Sequence, residues 1–520
     1  MSTYKRIIFL TFLLSLPVIA LAQETIPLYH WGYTYLDQLA LRGYLKDLNT
    51  IQKPYYLADV EGALIKLNEN VTSGSVTLSA RDRWMLRYLM QEFAKPHGEK
   101  RGDMNIMVGV WADQYAQLDE NETRHYTQLR SQCGLHVGEH LYFYNGGLLD
   151  QFLYNDPDYT GNKWRGFAGY LEQGYARYSN SFLNITFGRD YIYWGSGRTG
   201  RLLFSDNARP LDIFSVVLKY KAISLTTLAA NLDQWTMADS LVQKYSVGTA
   251  NRYLSAHRMT ICLGDRFKIG LAEMLLYGGP NSTWELKYHN PLLYYHGELL
   301  NHGGYDGNGM LYLDVDWYPW SNWEFYGELL IDDFQVEETA PGDLEPNEIG
   351  YIVGLLKSGL PGLNGATLGM EYVRVANRTY NSLKDWEKFV FYNRPIGYSL
   401  GNNFDRWHVT ADYWFPQRFK MSMAFDYIRK GEGSVLDQWL EPWRSYTVAQ
   451  GYDEPFPFGA VETSSITTLG LSWHVTPAFL MDISYRYFEV ENYSNEPGAD
   501  RNNWEANVKF HWNGKHLFNY

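Results

Sequence analysis

From about residue 104 to the C terminus, apolar and polar side chains alternate with a period of two. That pattern marks strands with one greasy and one wet face. In "MLYLDVDWY", Leu311, Leu313, Val315 and Trp317 alternate with Tyr312, Asp314, Asp316 and Tyr318. Across "PWSN", the partner "WEFYGELLID" alternates Trp323, Phe325, Leu329 and Ile331 with Glu324, Tyr326, Glu328 and Asp332. The pairs "RWHVTADYWF"/"RFKMSMAFDYI" and "LGLSWHV"/"FLMDISYRYF" repeat it around Pro416-Gln417 and Thr476-Pro477. Residues 28 to about 98 differ, because their apolar spacing is helical. Leu36, Leu39 and Ala40, then Leu57, Val60, Leu64 and Leu67, then Leu86, Leu89, Met90 and Phe93 predict three helices. Ser79 with Asp82 reads as the cap of the third.

A soluble sandwich would alternate as well, so connection lengths decide between the two. Short turns are expected near 131–132, 179–181, 222, 264, 319–322, 359–364, 416–417 and 476–477. Long connections are expected near 193–213, 232–252, 278–308, 379–405, 430–463 and 491–502. Tight turns on one side and long loops on the other are the outer-membrane pattern. The expected fold is an all-β transmembrane barrel of about eighteen antiparallel strands with both termini in the periplasm. The expected division is a periplasmic helical domain over 23–103 and a barrel over 104–520. The final strand "WEANVKFHW" turns Trp504, Ala506, Val508, Phe510 and Trp512 outward, and the chain ends on Tyr520. An aromatic terminal strand suits the barrel-insertion machinery as a partner, with outer-membrane lipid around the wall.

Composition supports this reading. Lys5 and Arg6, the apolar run "IIFLTFLLSLPVI" and Ala20-Leu21-Ala22 form an export leader over residues 1–22. No cysteine follows it, so no lipid anchor is expected there. Beyond it nothing approaches the ~20 apolar residues of a membrane helix. Mean hydropathy is −0.36, yet aromatics make up 17%, including 43 Tyr and 18 Trp. Such a content suits a barrel with a polar lumen and aromatic girdles. The net charge is −13; without Lys5 and Arg6 it is 43 − 58 = −15. That balance argues against nucleic acid, and an anionic ligand would need local basic groups. Cys133 and Cys262 stand far apart in strand-like stretches and form no metal-site spacing.

Gly195-Ser196-Gly197-Arg198-Thr199-Gly200 spells G-x-G-x-x-G, the dinucleotide fingerprint. The preceding "SFLNITFGRDYIY" alternates instead of running apolar, and no helical stripe follows, so a nucleotide site is rejected. In a barrel these glycines fall in the first long outside loop. There they either gate the mouth or present Trp194, Arg198, Asp206, Asn207 and Arg209 to a sugar chain. His289, His296, Glu298, His302 and Asp306 lack helical metal-ligand spacing. "NDPDYTGN" begins like a calcium loop with Asp156, Asp158 and Gly161, but Phe167 stands where the bidentate Glu belongs. No cofactor or metal is expected. The inward carboxylates Asp314, Asp316, Glu324, Glu328, Asp412, Asp426 and Asp482, with Lys420 and Arg486, read as lumen charge rather than a hydrolytic pair. Trp284, Tyr294, Tyr295, Trp439, Trp443 and Tyr446 lie outside the strands, as sugar platforms or interface anchors.

Several stretches taken together carry a family resemblance. They are "FGRDYIYWGSGRTGRLLFSDNARPLD" (187–212), "AHRM" (256–259), "LAEMLLYGG" (271–279), "YHNPLLYY" (288–295), "DGNGMLYLDVDWY" (306–318) and "FYGELLIDDFQV" (325–336). With the leader, the helical segment and the long barrel, the chain resembles the Wzi-type capsule assembly family of outer-membrane proteins. The resemblance implies a monomeric barrel closed below by a helical bundle. It further implies a non-catalytic surface lectin that retains capsular or extracellular polysaccharide. No catalytic residues carry over. The expected ligand-binding set is Trp194, Arg198, Asp206, Asn207, Arg209, Trp284, Tyr294, Trp439 and Trp443. A saccharide-permeable porin is the rival reading.

Overall fold

The alternating region closes on itself. A computed structural model describes residues 24–94, 104–157, 159–301, 307–337 and 339–519. The leader, Asp158, His302, Asp306 and Tyr520 lie outside them. Among the described residues, eighteen long strands each pair antiparallel with the next. They are β1 (Met104–Asp119), β2 (Thr123–Val137), β3 (Leu141–Asp150), β4 (Ala168–Ser179), β5 (Leu183–Asp190) and β6 (Leu211–Tyr220). Next come β7 (Ile223–Asn231), β8 (Thr249–Leu263), β9 (Phe267–Gly279), β10 (Asn308–Trp317), β11 (Trp323–Asp333) and β12 (Glu348–Leu360). The circuit ends with β13 (Leu363–Val375), β14 (Phe404–Trp414), β15 (Phe419–Lys430), β16 (Glu462–Thr476), β17 (Phe479–Glu491) and β18 (Arg501–Asn519). β1 pairs with β18 from Asn105↔Asn519 to Asp119↔Glu505, so the sheet has no free edge.

The alternation sorts as expected. On β10, Leu311, Leu313, Val315 and Trp317 face outward while Tyr312, Asp314 and Asp316 are buried in the lumen. Outward aromatics ring the periplasmic end, where Trp323 stacks on Phe325 and Phe419 on Trp473. Tyr485 on Trp504 and Tyr372 against Trp407 mark the other end. These are interface girdles.

One expected turn was misplaced. Residues 131–132 lie inside β2, and the chain turns at 138–140 instead, with Gly138 at φ +59°. "SQCG" reads as a turn but serves packing: a Cβ on Gly134 would meet the Tyr142 ring at 3.1 Å. Two long outer connections also lie where none was expected, at 151–167 and 334–347.

Three helices stop the periplasmic end: α1 (Gly32–Leu41), α2 (Leu57–Thr72) and α3 (Ala80–Phe93). Ser79 Oγ accepts the Asp82 N–H at 3.2 Å, capping α3. Leu36, Leu39, Val60, Leu64, Met85 and Leu89 are wholly buried in one core, completed by Trp111 and Trp414 of the barrel wall. Each such side chain contributes about 1.5–3 kcal/mol. Polar ties pin the helices to the barrel: Tyr35 Oη to His474 Nδ1 at 2.6 Å and Gln38 Nε2 to Ser358 Oγ at 3.0 Å.

Candidate functional site

The G-x-G-x-x-G loop turns into the barrel and descends through the lumen. Its tip, Tyr193–Trp194, pairs antiparallel with Gln52–Lys53 of the helical segment. Gly195 N–H donates to the Ile51 carbonyl at 2.9 Å. Four more of its backbone donors are taken by two inward carboxylates. Glu328 accepts from Gly197 N (2.8 Å) and Leu202 N (2.9 Å). Glu371 accepts from Arg198 N (2.6 Å) and Thr199 N (3.0 Å). A nucleotide phosphate needs these N–H groups free, and here they are already spent on protein anions. Gly195 has φ +117°, and a Cβ there would collide with the Glu328 carboxylate. Glycine is what lets the loop lie this close to an acid.

On one side of the loop the lumen is filled by a packed core, while on the other a cavity of about 560 Å³ remains between Trp194 and the wall at Arg177, Ile213 and Thr226. Trp194, Leu202, Leu203 and Phe204 are fully buried against Met274, Met310, Tyr380, Phe389 and Tyr398. Arg198 bonds Glu324 and lies 3.6 Å from Asp37 of α1. Burial opposes its charge, but Glu324 and Asp37 more than offset that and raise its basicity. Burial likewise opposes the Asp37 carboxylate, yet Lys53 and Arg198 hold it below its ordinary range. Other lumen acids are equally committed: Asp314 to Arg258 at 2.6 and 3.0 Å, and Asp426 to His408 at 2.6 Å. These carboxylates are fasteners between wall, loop and helices.

Above the plug a polar cavity of about 350 Å³ remains in the extracellular half of the lumen. β2 supplies Arg130 and β4 supplies Tyr170 and Glu172. The descending loop supplies Asp206, Asn207 and Arg209, and the 376–403 connection supplies Tyr392 and Arg394. Arg130 Nε bonds Glu172 at 2.9 Å, and Tyr191 Oη donates to the same carboxylate at 2.9 Å. Burial, then the Glu172 charge, push the Tyr191 phenol well above its usual range. Asn207 Nδ2 donates to the Pro395 carbonyl at 2.9 Å, and Arg394 pairs with Asp156. Arg209 is different. Its guanidinium lies 4.5 Å from the Tyr392 ring, 5.3 Å from Tyr159 and 5.4 Å from Tyr170, and among the described residues it makes no ion pair. The site therefore holds a half-buried cation set among rings, with an amide and an exposed acid beside it.

Of the nine expected site residues, the structure brings together Asp206, Asn207 and Arg209. Trp194 and Arg198 belong to the plug beneath them. Trp443 is fully buried at the centre of the 431–461 loop, under Arg378 at 4.7 Å, with the half-buried Trp439 at its edge. Trp284 and Tyr294 lie on the outer wall, away from the lumen. Among the described residues no group of three or more His, Cys, Asp or Glu is placed to hold a metal ion. Sequence reasoning missed Arg130, Tyr170, Glu172, Tyr392 and Arg394. Arg130 sits on an inward position at the middle of β2, and Tyr170 and Glu172 on inward positions near the outer end of β4, a signal that alternation carried.

The fold is similar to that of Wzi of Escherichia coli, an outer-membrane protein involved in group 1 capsule assembly and described as a carbohydrate-binding β-barrel. The TM-score is 0.59 at 15% identity, over 94% of this chain and 99% of that one. OprD of Pseudomonas aeruginosa aligns with a TM-score of 0.45 at 10% identity, over 78% of this chain and 95% of that one. OpdK of the same organism aligns with a TM-score of 0.45 at 11% identity, over 79% and 99%. No curated protein sequence matches the chain. The family profile "Capsule assembly protein Wzi" matches residues 125–505, more than two thirds of the sequence. This outer-membrane β-barrel therefore belongs to the Wzi capsule assembly family.

Proposed function

We propose that this protein retains capsular or extracellular polysaccharide at the cell surface as a monomeric, non-catalytic lectin. A segment of the polymer occupies the cavity around Arg209. The observation that carries this reading is Arg209 itself, a cation framed by tyrosines and, among the described residues, without a protein anion. Sugar rings present C–H faces to aromatic side chains, and their hydroxyl or carboxylate groups suit Arg209, Asn207 and Asp206. The packed core around Leu202 and Phe204 supports retention over passage. The spent lumen carboxylates support binding over hydrolysis, since a glycosidase needs a pair free to serve as acid and base.

Deleting the gene tests the reading. Polymer should appear in the medium while total synthesis persists, and restoring the intact chain should return it to the cells. Polymer that stays cell-bound in the deletion strain would refute it.

A further inference from the structure

The connection after β9 does not rise with the others. Along β9, Ala272 and Met274 face the lumen core, so Leu271, Glu273 and Leu275 face outward. Glu273 is nonetheless only 4% exposed, because segment 280–301 folds down the outside of the wall onto it. Its carboxylate accepts from Tyr295 N and His296 N, both at 2.9 Å. It also bonds His296 Nδ1 at 2.7 Å and lies 3.2 Å from His257 Nε2. Leu275 and Tyr277 of the outer wall pack against Tyr288, Tyr295 and Leu299 of the segment. With a rise of about 2.6 Å per tilted residue, Glu273 stands roughly 15 Å above the periplasmic end of β9. That height is in the upper half of an apolar band about 25 Å tall. The segment's free face is greasy: Leu286 is 72% and Leu292 84% exposed, with Trp284 and Tyr294 beside them.

Next to this flap the wall carries a groove of about 380 Å³, lined by Leu271, Leu311, Leu313, Leu329 and Ile331, with Tyr294 along one side. At its head stands His257, whose buried Nδ1 has no hydrogen-bond partner among the described residues. A neutral imidazole that donates through Nε2 to Glu273 leaves Nδ1 as an acceptor.

We propose that this groove holds one acyl chain of an outer-leaflet lipid, clasped by segment 280–301, with His257 Nδ1 accepting from an amide N–H or hydroxyl near the head of that chain. Aliphatic lining at membrane depth suits a hydrocarbon chain. A sugar would find only the polar groups at the groove's head. The clasp distinguishes a held chain from lipid that merely slides along the wall.

The test uses full-length protein in nanodiscs doped with one of two photoactivatable lipids, each with a diazirine in its acyl chain. One is an ester-linked phosphatidylethanolamine, the other an amide-linked, hydroxyl-bearing sphingolipid. Peptide mapping should place at least five-fold more label on β9, β10 and Tyr294 than on the far wall around Met421–Phe425. Leu313→Trp, which fills the groove, should cut that label at least five-fold and leave the far wall unchanged. Leu329→Trp serves if the first variant fails to show heat-modifiable migration of a folded barrel. The sphingolipid should label more strongly than the phospholipid, and His257→Phe should remove that preference. Even labelling around the barrel, or a filled groove that labels like wild type, overturns the bound chain. Equal labelling by both lipids overturns the role of His257.

Discussion

Glu328→Gln is the sharpest perturbation of the plug, because it exchanges one oxygen for an NH₂ group and changes almost no volume. The wild-type carboxylate accepts Gly197 N–H at 2.8 Å and Leu202 N–H at 2.9 Å, one on each oxygen. Hydrogen bonds to a charged group contribute about 1.5–3 kcal/mol each. Glutamine keeps one as a neutral bond of about 1 kcal/mol and turns its NH₂ toward the other N–H, leaving a buried donor unsatisfied. The net loss is about 3 kcal/mol, which multiplies the population of a displaced loop by roughly 100. Hydrogen exchange of detergent-solubilised protein reads that population directly, since amides of a locally opened segment exchange in proportion to it. Peptides covering 195–203 should exchange about 100-fold faster in the variant while β12 and β13 keep their protection. Exchange within two-fold of wild type would show that the carboxylate is not what holds the loop, and the account of the glycine motif would fail with it.

Four further outcomes follow from the same geometry. Wild-type protein in planar bilayers should show no steady large conductance, because the core around Leu202 and Phe204 occupies the lumen; a stable open level would contradict the plug. Arg209→Ala should weaken binding of polymer recovered from the same strain by about 10- to 100-fold, the size of one lost charged hydrogen bond, with Arg209→Lys in between; unchanged affinity in a polymer-binding assay would move the site elsewhere. Trp443→Ala should cost the 431–461 loop about 3–5 kcal/mol, seen as faster proteolytic nicking there with an intact barrel. Burial opposes the Glu92 charge, but His30 and Lys515 overcome it and hold the group at about 2, below its ordinary 4.5. A depressed carboxylate stabilises the fold above its unfolded pKa and loses that contribution as pH falls from about 4.5 to 2. Near-UV circular dichroism across that range should show the loss, and Glu92→Gln should flatten it.

Much of the barrel was legible because lipid imposes a rule on every second residue. An outward position in β10 or β11 must be apolar, so Leu311 and Leu313, or Phe325 and Leu329, announce their face without any knowledge of their neighbours. The lumen imposes no such rule. Asp314 and Arg258 are acceptable there separately, and only the fold shows that they meet. The misplaced turn at 131–132 has the same origin, since Gly134 answers to Tyr142 on the next strand and not to the local chain. The site divides along this line. Asp206, Asn207 and Arg209 were found because they crowd into one loop, whereas Arg394 reaches them from almost two hundred residues away.

Two long loops end on opposite sides of the wall, and the reason lies in the strands that receive them. Segment 191–210 turns inward because Glu328 and Glu371, on inward rows, offer acceptors for its backbone N–H groups. Segment 280–301 turns outward because Glu273 offers the same thing from an outward row. An inward acid is unremarkable, so the first outcome could not be read in advance. An outward acid is not: a bare carboxylate at membrane depth costs several kcal/mol, so something must cover it. "LAEMLLYGG", with Leu271 and Leu275 outward and Glu273 between them, already states that demand. The exceptions to alternation, more than the alternation itself, mark where a barrel's loops will settle.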